Sequence, residues 1–118
     1  MKHDPYNHML LDEFPFLKDN YDKIKGGVFD LDTPSYSFYA EIFVPYMEEV
    51  YRKDDALELN HCLTFIENMM KNEDEKVSDI AIKAILIPLY ENKKVNMDEL
   101  SLGKLSKSYY EKWLKIKT

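Results

Sequence analysis

The sequence holds one cysteine, one tryptophan and three glycines in 118 residues, and no apolar run approaches the length of a membrane span. Cys62 alone cannot form an intramolecular disulfide, and a lone thiol fits a reducing compartment. So little glycine excludes collagen-like and low-complexity architectures. Gly26-Gly27 has neither the spacing nor the lysine of a phosphate loop, so nucleotide binding is not expected. The opening stretch MKHDPYNHMLLDEF lacks the apolar region of a secretory signal. Together these features place the chain in the cytosol, away from the membrane. Nowhere does apolar and polar character alternate with a period of two, so strands are not expected either.

What is present fits a single globular helical domain over residues 1–118: 45% hydrophobic, 32% charged and 14% aromatic residues. The net charge of −6 is unevenly spread. Residues 1–92 carry 9 basic and 19 acidic side chains, while residues 93–118 carry 7 basic and 3 acidic. An acidic body repels nucleic acid and anionic lipid and speeds encounter with basic partners. The plain alternative is that the charge serves solubility.

Periodicity predicts an all-α bundle of five to six helices. A first helix from Tyr6 carries Met9, Leu10 and Phe14, breaks at Pro15, and is followed by a turn through Leu17, Tyr21 and Ile24 that Gly26 and Gly27 end. Thr33 as N-cap and Pro34 at the first position open a long helix. Tyr36, Tyr39, Ala40, Phe43, Tyr46, Met47 and Val50 share one face of it, and Pro45 predicts a kink. Asp54 or Asp55 caps a third helix with an apolar stripe of Leu59, Cys62, Leu63, Ile66, Met69 and Met70. Glu73, Asp74 and Glu75 suit the positive end of a fourth, which is apolar nearly all round from Val77 to Leu89 and is expected to be central. The pair 55–72 and 74–91 resembles one antiparallel unit of a HEAT-like stack. Asn96 starts a short turn through Leu100 and Leu102 to Gly103. Ser106 is expected to cap a last helix on which Tyr109, Trp113 and Ile116, with Leu105, face inward, opposite Lys104, Lys112 and Lys115.

Few constellations offer chemistry. Asp30-Leu31-Asp32-Thr33 matches the nucleophile loop of haloacid-dehalogenase-like phosphatases only superficially, because no buried strand precedes it; a loop leading to a helix cap explains it better. Glu58 and His61, three residues apart, mimic half of a di-iron ligand set, yet no second pair exists, so no metal is expected and His61 reads as a solvated histidine on a polar face. His8 and Asp12 are a second helix-spaced pair that more often stabilises a helix than catalyses. Cys62 lies in an apolar stripe and reads as a core residue. Lys104, Lys107, Lys112, Lys115 and Lys117 with Tyr109, Tyr110 and Trp113 have the ingredients of a nucleic-acid or membrane-surface helix, but those aromatics are better employed in packing. No cofactor, nucleic acid or membrane partner is expected.

The remaining signal is a surface. Glu41, Glu48, Glu49, Asp54, Asp55 and Glu58 gather around one corner with only Arg52 and Lys53 as basic neighbours, and nine tyrosines accompany them. Tyrosine anchors beside carboxylates suit an interface that selects a basic protein. A solvated face with tyrosines at the core edge is the bland alternative.

Cys62-Leu63-x-Phe65-Ile66-Glu67-x-Met69, the acidic turn at Asp74 and Val77, and the earlier Phe14-Pro15-x-Leu17 and Tyr21 resemble a family of small bacterial helical domains of unassigned function, similar to immunity proteins of polymorphic or contact-dependent toxin systems. The resemblance covers most of residues 9–90 and leaves the basic tail outside. It implies an all-α fold and a binding role and carries over no catalytic residue. The expectation is therefore a non-enzymatic immunity protein or antitoxin that occludes the active site of a basic toxin, such as a nuclease, through Glu41, Glu48, Glu49, Tyr51, Asp54, Asp55 and Glu58. The alternative is a helical adaptor, in one form a homodimer, that binds through an apolar groove.

Overall fold

The computed structural model describes residues 5–17, 34–92, 94–96, 100 and 103–117. Within them the chain forms five helices and no strand, an all-α bundle: α1 (Pro5–Glu13), α2 (35–52), α3 (Ala56–Met70), α4 (75–92) and α5 (Lys104–Lys117). The expected turn through Tyr21 and Ile24, Gly26-Gly27, the Asp30-Leu31-Asp32 loop, the Thr33 cap and Leu102 lie outside the described residues.

Caps set the helix boundaries. Pro34 occupies the cap position of α2 rather than its first turn, in an extended conformation that its fixed φ favours. At the other end, Asp54 takes a left-handed φ of 58°. Its N–H bonds the Tyr51 carbonyl and the Asp55 N–H bonds that of Val50, the paired closure that usually recruits glycine. Asp55 then caps α3, accepting from the Glu58 N–H. Asp74 caps α4 through Lys76 N–H, and its other oxygen accepts the Tyr6 hydroxyl at 2.9 Å, tying α1 to α4.

Pro45 and Pro88 do their work differently from the kink expected at Pro45. Each follows a wide π turn, Tyr39–Phe43 in α2 and Ala81–Leu86 in α4. The N–H just before each proline reaches back five residues, from Val44 to Tyr39 and from Ile87 to Ile82. A proline ring clashes with the carbonyl four residues earlier and cannot bond it, and a five-residue turn moves that carbonyl aside. The two π turns pack against each other, so α2 and α4 meet where both are widest.

One core joins all five helices. Leu10 of α1 and Phe14 just after it, Phe38, Tyr39, Ile42, Phe43 and Met47 of α2, Cys62, Ile66 and Met69 of α3, and Ile80, Ala81, Ile85 and Leu86 of α4 are fully or nearly fully buried. Phe14 stands among Phe43 at 5.2 Å, Phe65 at 5.3 Å and Tyr46 at 6.0 Å between ring centroids. Burial pushes the Cys62 thiol up to about 12, as expected of a core residue rather than a nucleophile. The expected pair of α3 and α4 does pack together.

Ser106 is not the cap of α5. The helix begins at Lys104 and is capped from α3: buried Glu67 accepts the N–H groups of Leu105 at 2.8 Å and Ser106 at 3.0 Å, and the Ser106 hydroxyl at 3.0 Å. A carboxylate at the positive end of a helix satisfies donors that would otherwise be orphaned. Burial pushes the Glu67 carboxyl up, but those three donors outweigh it and the net shift is downward. Ser106, Tyr109, Tyr110 and Trp113 face the body, while Ile116 is 81% exposed and Leu105 is also exposed, against expectation.

Candidate partner-binding groove

Of the eight described tyrosines, four spend their hydroxyls inside the body. Tyr6 donates to Asp74, Tyr36 to Asp79, Tyr46 to Glu58, and Tyr39 to the Tyr6 carbonyl. These link helix to helix, which accounts for those four tyrosines without an interface. The other four, Tyr51, Tyr90, Tyr109 and Tyr110, gather where the ends of α2 and α4 meet α5.

Tyr51 is the hub of that region. It lines three adjoining cavities, of about 330, 470 and 550 Å³. The first also touches Asp54, Leu59 and Leu63 at the start of α3. The second has aromatic walls, Tyr90, Tyr110 and Trp113, with Lys94 and Asn96 at its edge. Tyr90 sits 4.9 Å from each of the other two rings. The third runs along Pro45, Glu48, Glu49, Arg52 and Lys94. Cavities of this size hold a side chain or a short segment of a partner.

The seven expected site residues do not act as one cluster. Glu48, Glu49, Tyr51 and Asp54 line the groove. Glu48 accepts from Asn92 Nδ2 at 3.1 Å, and Glu49 is held below the usual carboxylate range by Arg52, with Lys53 3.5 Å away. Asp55 serves as the α3 cap. Glu41 is exposed on the π turn of α2 and lines none of these three cavities. Glu58 turns the other way, into the contact with Tyr46 and His61.

His61 is not the freely solvated residue expected. Its Nε2 lies 2.6 Å from Glu13 Oε2 and its Nδ1 3.5 Å from Glu58 Oε1, and its ring stacks on Phe14 at 4.5 Å. Glu13 foremost raises its pKa; burial opposes this less strongly, and Glu58 adds to the rise. A raised pKa means that this contribution is complete below the unfolded value of about 6.5 and is lost as pH rises through the folded value. Thermal stability is therefore expected to decline across that window, by about 1 kcal/mol or less because both side chains are well exposed, and Glu13→Gln should flatten the slope. A melt series from mildly acidic to mildly alkaline pH checks this.

The aromatic wall is missed in the sequence, where the apolar face of the fourth helix ends at Leu89 and Tyr110 and Trp113 are assigned to packing. Leu57, 88% exposed beside Asp55 and Glu58, is missed too. A leucine off the apolar stripe at a helix start was the available signal. Among the described residues no group of His, Cys, Asp and Glu could hold a metal ion, and no helix is long and apolar enough to cross a membrane.

No curated protein matches the chain, and no solved structure does. A family match runs over residues 7–118, so the basic helix α5, which the resemblance had left outside, is part of the shared domain. The chain thus belongs to the family described as Domain of unknown function (DUF7674).

Proposed function

We propose that the chain is a non-enzymatic binding protein of the immunity type, which neutralises a basic toxin, for example a nuclease, by covering its active site. The observation that supports this best is the set of three cavities that share Tyr51, with carboxylates at Glu48, Glu49 and Asp54 and an aromatic wall beside them. Carboxylates steer a basic partner and select against acidic ones, and the aromatic surface supplies the area that holds it. Glu58 and Asp55 stabilise the scaffold in this reading rather than touching the partner.

The test replaces only the groove carboxylates: Glu48→Gln, Glu49→Gln and Asp54→Asn together, the last because asparagine tolerates the left-handed backbone at that position. Association with the purified partner should slow about tenfold at low ionic strength and approach the parent rate at high salt. Equal rates for parent and variant at every salt concentration would contradict the proposal.

The aromatic cavity favours a second reading, a helical adaptor that holds its partner by apolar contacts. Binding would then survive high ionic strength with little change in rate.

A further inference from the structure

We propose that the cavity between Tyr51, Tyr90, Tyr110 and Trp113 receives an arginine side chain of the basic partner; this rests on the partner-binding reading above. Tyr90 is only 4% exposed, and its hydroxyl is buried with no hydrogen-bond partner. Such a group is costly to leave unmet, and most buried hydroxyls are satisfied. A guanidinium carries five donors and no acceptor, so it can donate to the phenolic oxygen while its plane lies against the rings of Tyr110 and Trp113. Cations are attracted to such ring faces, tryptophan most strongly.

Charge argues the same way. The adjoining cavity shares both Tyr51 and Lys94 with this one and carries Glu48 and Glu49. An aliphatic occupant would leave the Tyr90 hydroxyl unmet, and an anionic one would face those carboxylates. Among the described residues, Lys94 in this cavity and Arg52 in the adjoining one oppose a cation, and Lys94 gives the proposal a signed test.

Trp113 is the sole tryptophan, so its emission reports on the cavity in the intact chain. A short polyarginine peptide should change that emission saturably, and polylysine of equal length should bind about threefold more weakly, because an ammonium neither stacks nor forks. Tyr90→Phe should weaken polyarginine binding about fivefold without lowering the melting temperature, since the hydroxyl makes no internal bond. Lys94→Gln should tighten binding about twofold.

Equal binding of both peptides, untouched by Tyr90→Phe, would overturn the proposal. So would polyarginine binding that Lys94→Gln leaves unchanged or weakens, because removing a like charge from the lining must help a cation that sits in this cavity. Calorimetric binding that leaves Trp113 silent but disappears with Glu48→Gln, Glu49→Gln and Asp54→Asn would overturn the arginine pocket while upholding the charge-steered partner. Failure of both peptides to bind would overturn the pocket, and the partner reading would then stand or fall on its own association rates.

Discussion

Glu67→Ala is expected to cost about 2–4 kcal/mol and to loosen α5 from the body. The carboxylate accepts three hydrogen bonds at the start of α5, two of them from backbone N–H groups, one of which is buried with Ser106. Losing a helix cap costs roughly 1 kcal/mol, and leaving buried donors unmet costs roughly 1–3 more. Glu67→Gln keeps one acceptor oxygen and should lose about half as much. Because the folded pKa is lowered, the contribution is complete above the unfolded value of about 4.3 and fades as pH falls through the folded one, so wild type should release α5 in acid and Glu67→Ala should not.

Gly103 extends this prediction. A Cβ there would collide with Glu67 Oε1 and stand 2.7 Å from its Cγ. The glutamate cannot swing away without dropping its bonds, so Gly103→Ala should damage the same cap. The two substitutions should then fail to add: once Glu67 is alanine, there is nothing left for the new methyl to strike. Denaturation of the two single variants and the double variant, followed by Trp113 emission, measures this. Additive losses would mean that the cap and the close approach are independent.

Phe14→Ala is expected to be the most damaging single change, about 3–5 kcal/mol out of the roughly 5–15 that holds a domain of this kind. Phe14 is fully buried, touches Phe43, Phe65 and Tyr46, and carries His61 on its face. Its removal opens a void where α1, α2 and α3 meet and takes away the platform that aligns His61 with Glu13. The pH slope of stability should flatten along with the loss. Phe14→Leu, closer in volume, should cost about 1.5 kcal/mol or less. Phe16, 44% exposed at 6.1 Å from Phe14, is a control whose truncation should cost far less.

Local rules read this sequence well, and distant contacts were beyond them. Of the two cap candidates for α3, Asp54 and Asp55, the second caps it, and the acidic turn expected at the start of α4 supplies its cap through Asp74. The α2 stripe, read at about 100° per residue, omitted Phe38, Ile42 and Val44, all buried, because the π turn at Tyr39–Phe43 shifts the phase of the helix. Ser106 was mistaken for a cap because serine is a good local one, whereas the real cap comes from 38 residues earlier and no spacing rule connects them. The acidic corner was visible as composition. Which carboxylates face the groove was not, since Asp55 and Glu58 are engaged by partners of their own and Glu41 lies on the π turn. Tyr90 entered the groove only through the packing of α5.

The proposed docking of a basic protein at the Tyr51 groove depends on electrostatic guidance. Its most direct test is the association rate of this chain with a basic partner captured from its own cells and purified, followed from low to high ionic strength for the parent and for the Glu48→Gln, Glu49→Gln, Asp54→Asn variant. The parent's rate should fall steeply with salt and the variant's should stay nearly flat, the two converging at high salt. Parallel curves, equally steep or equally flat, would contradict it.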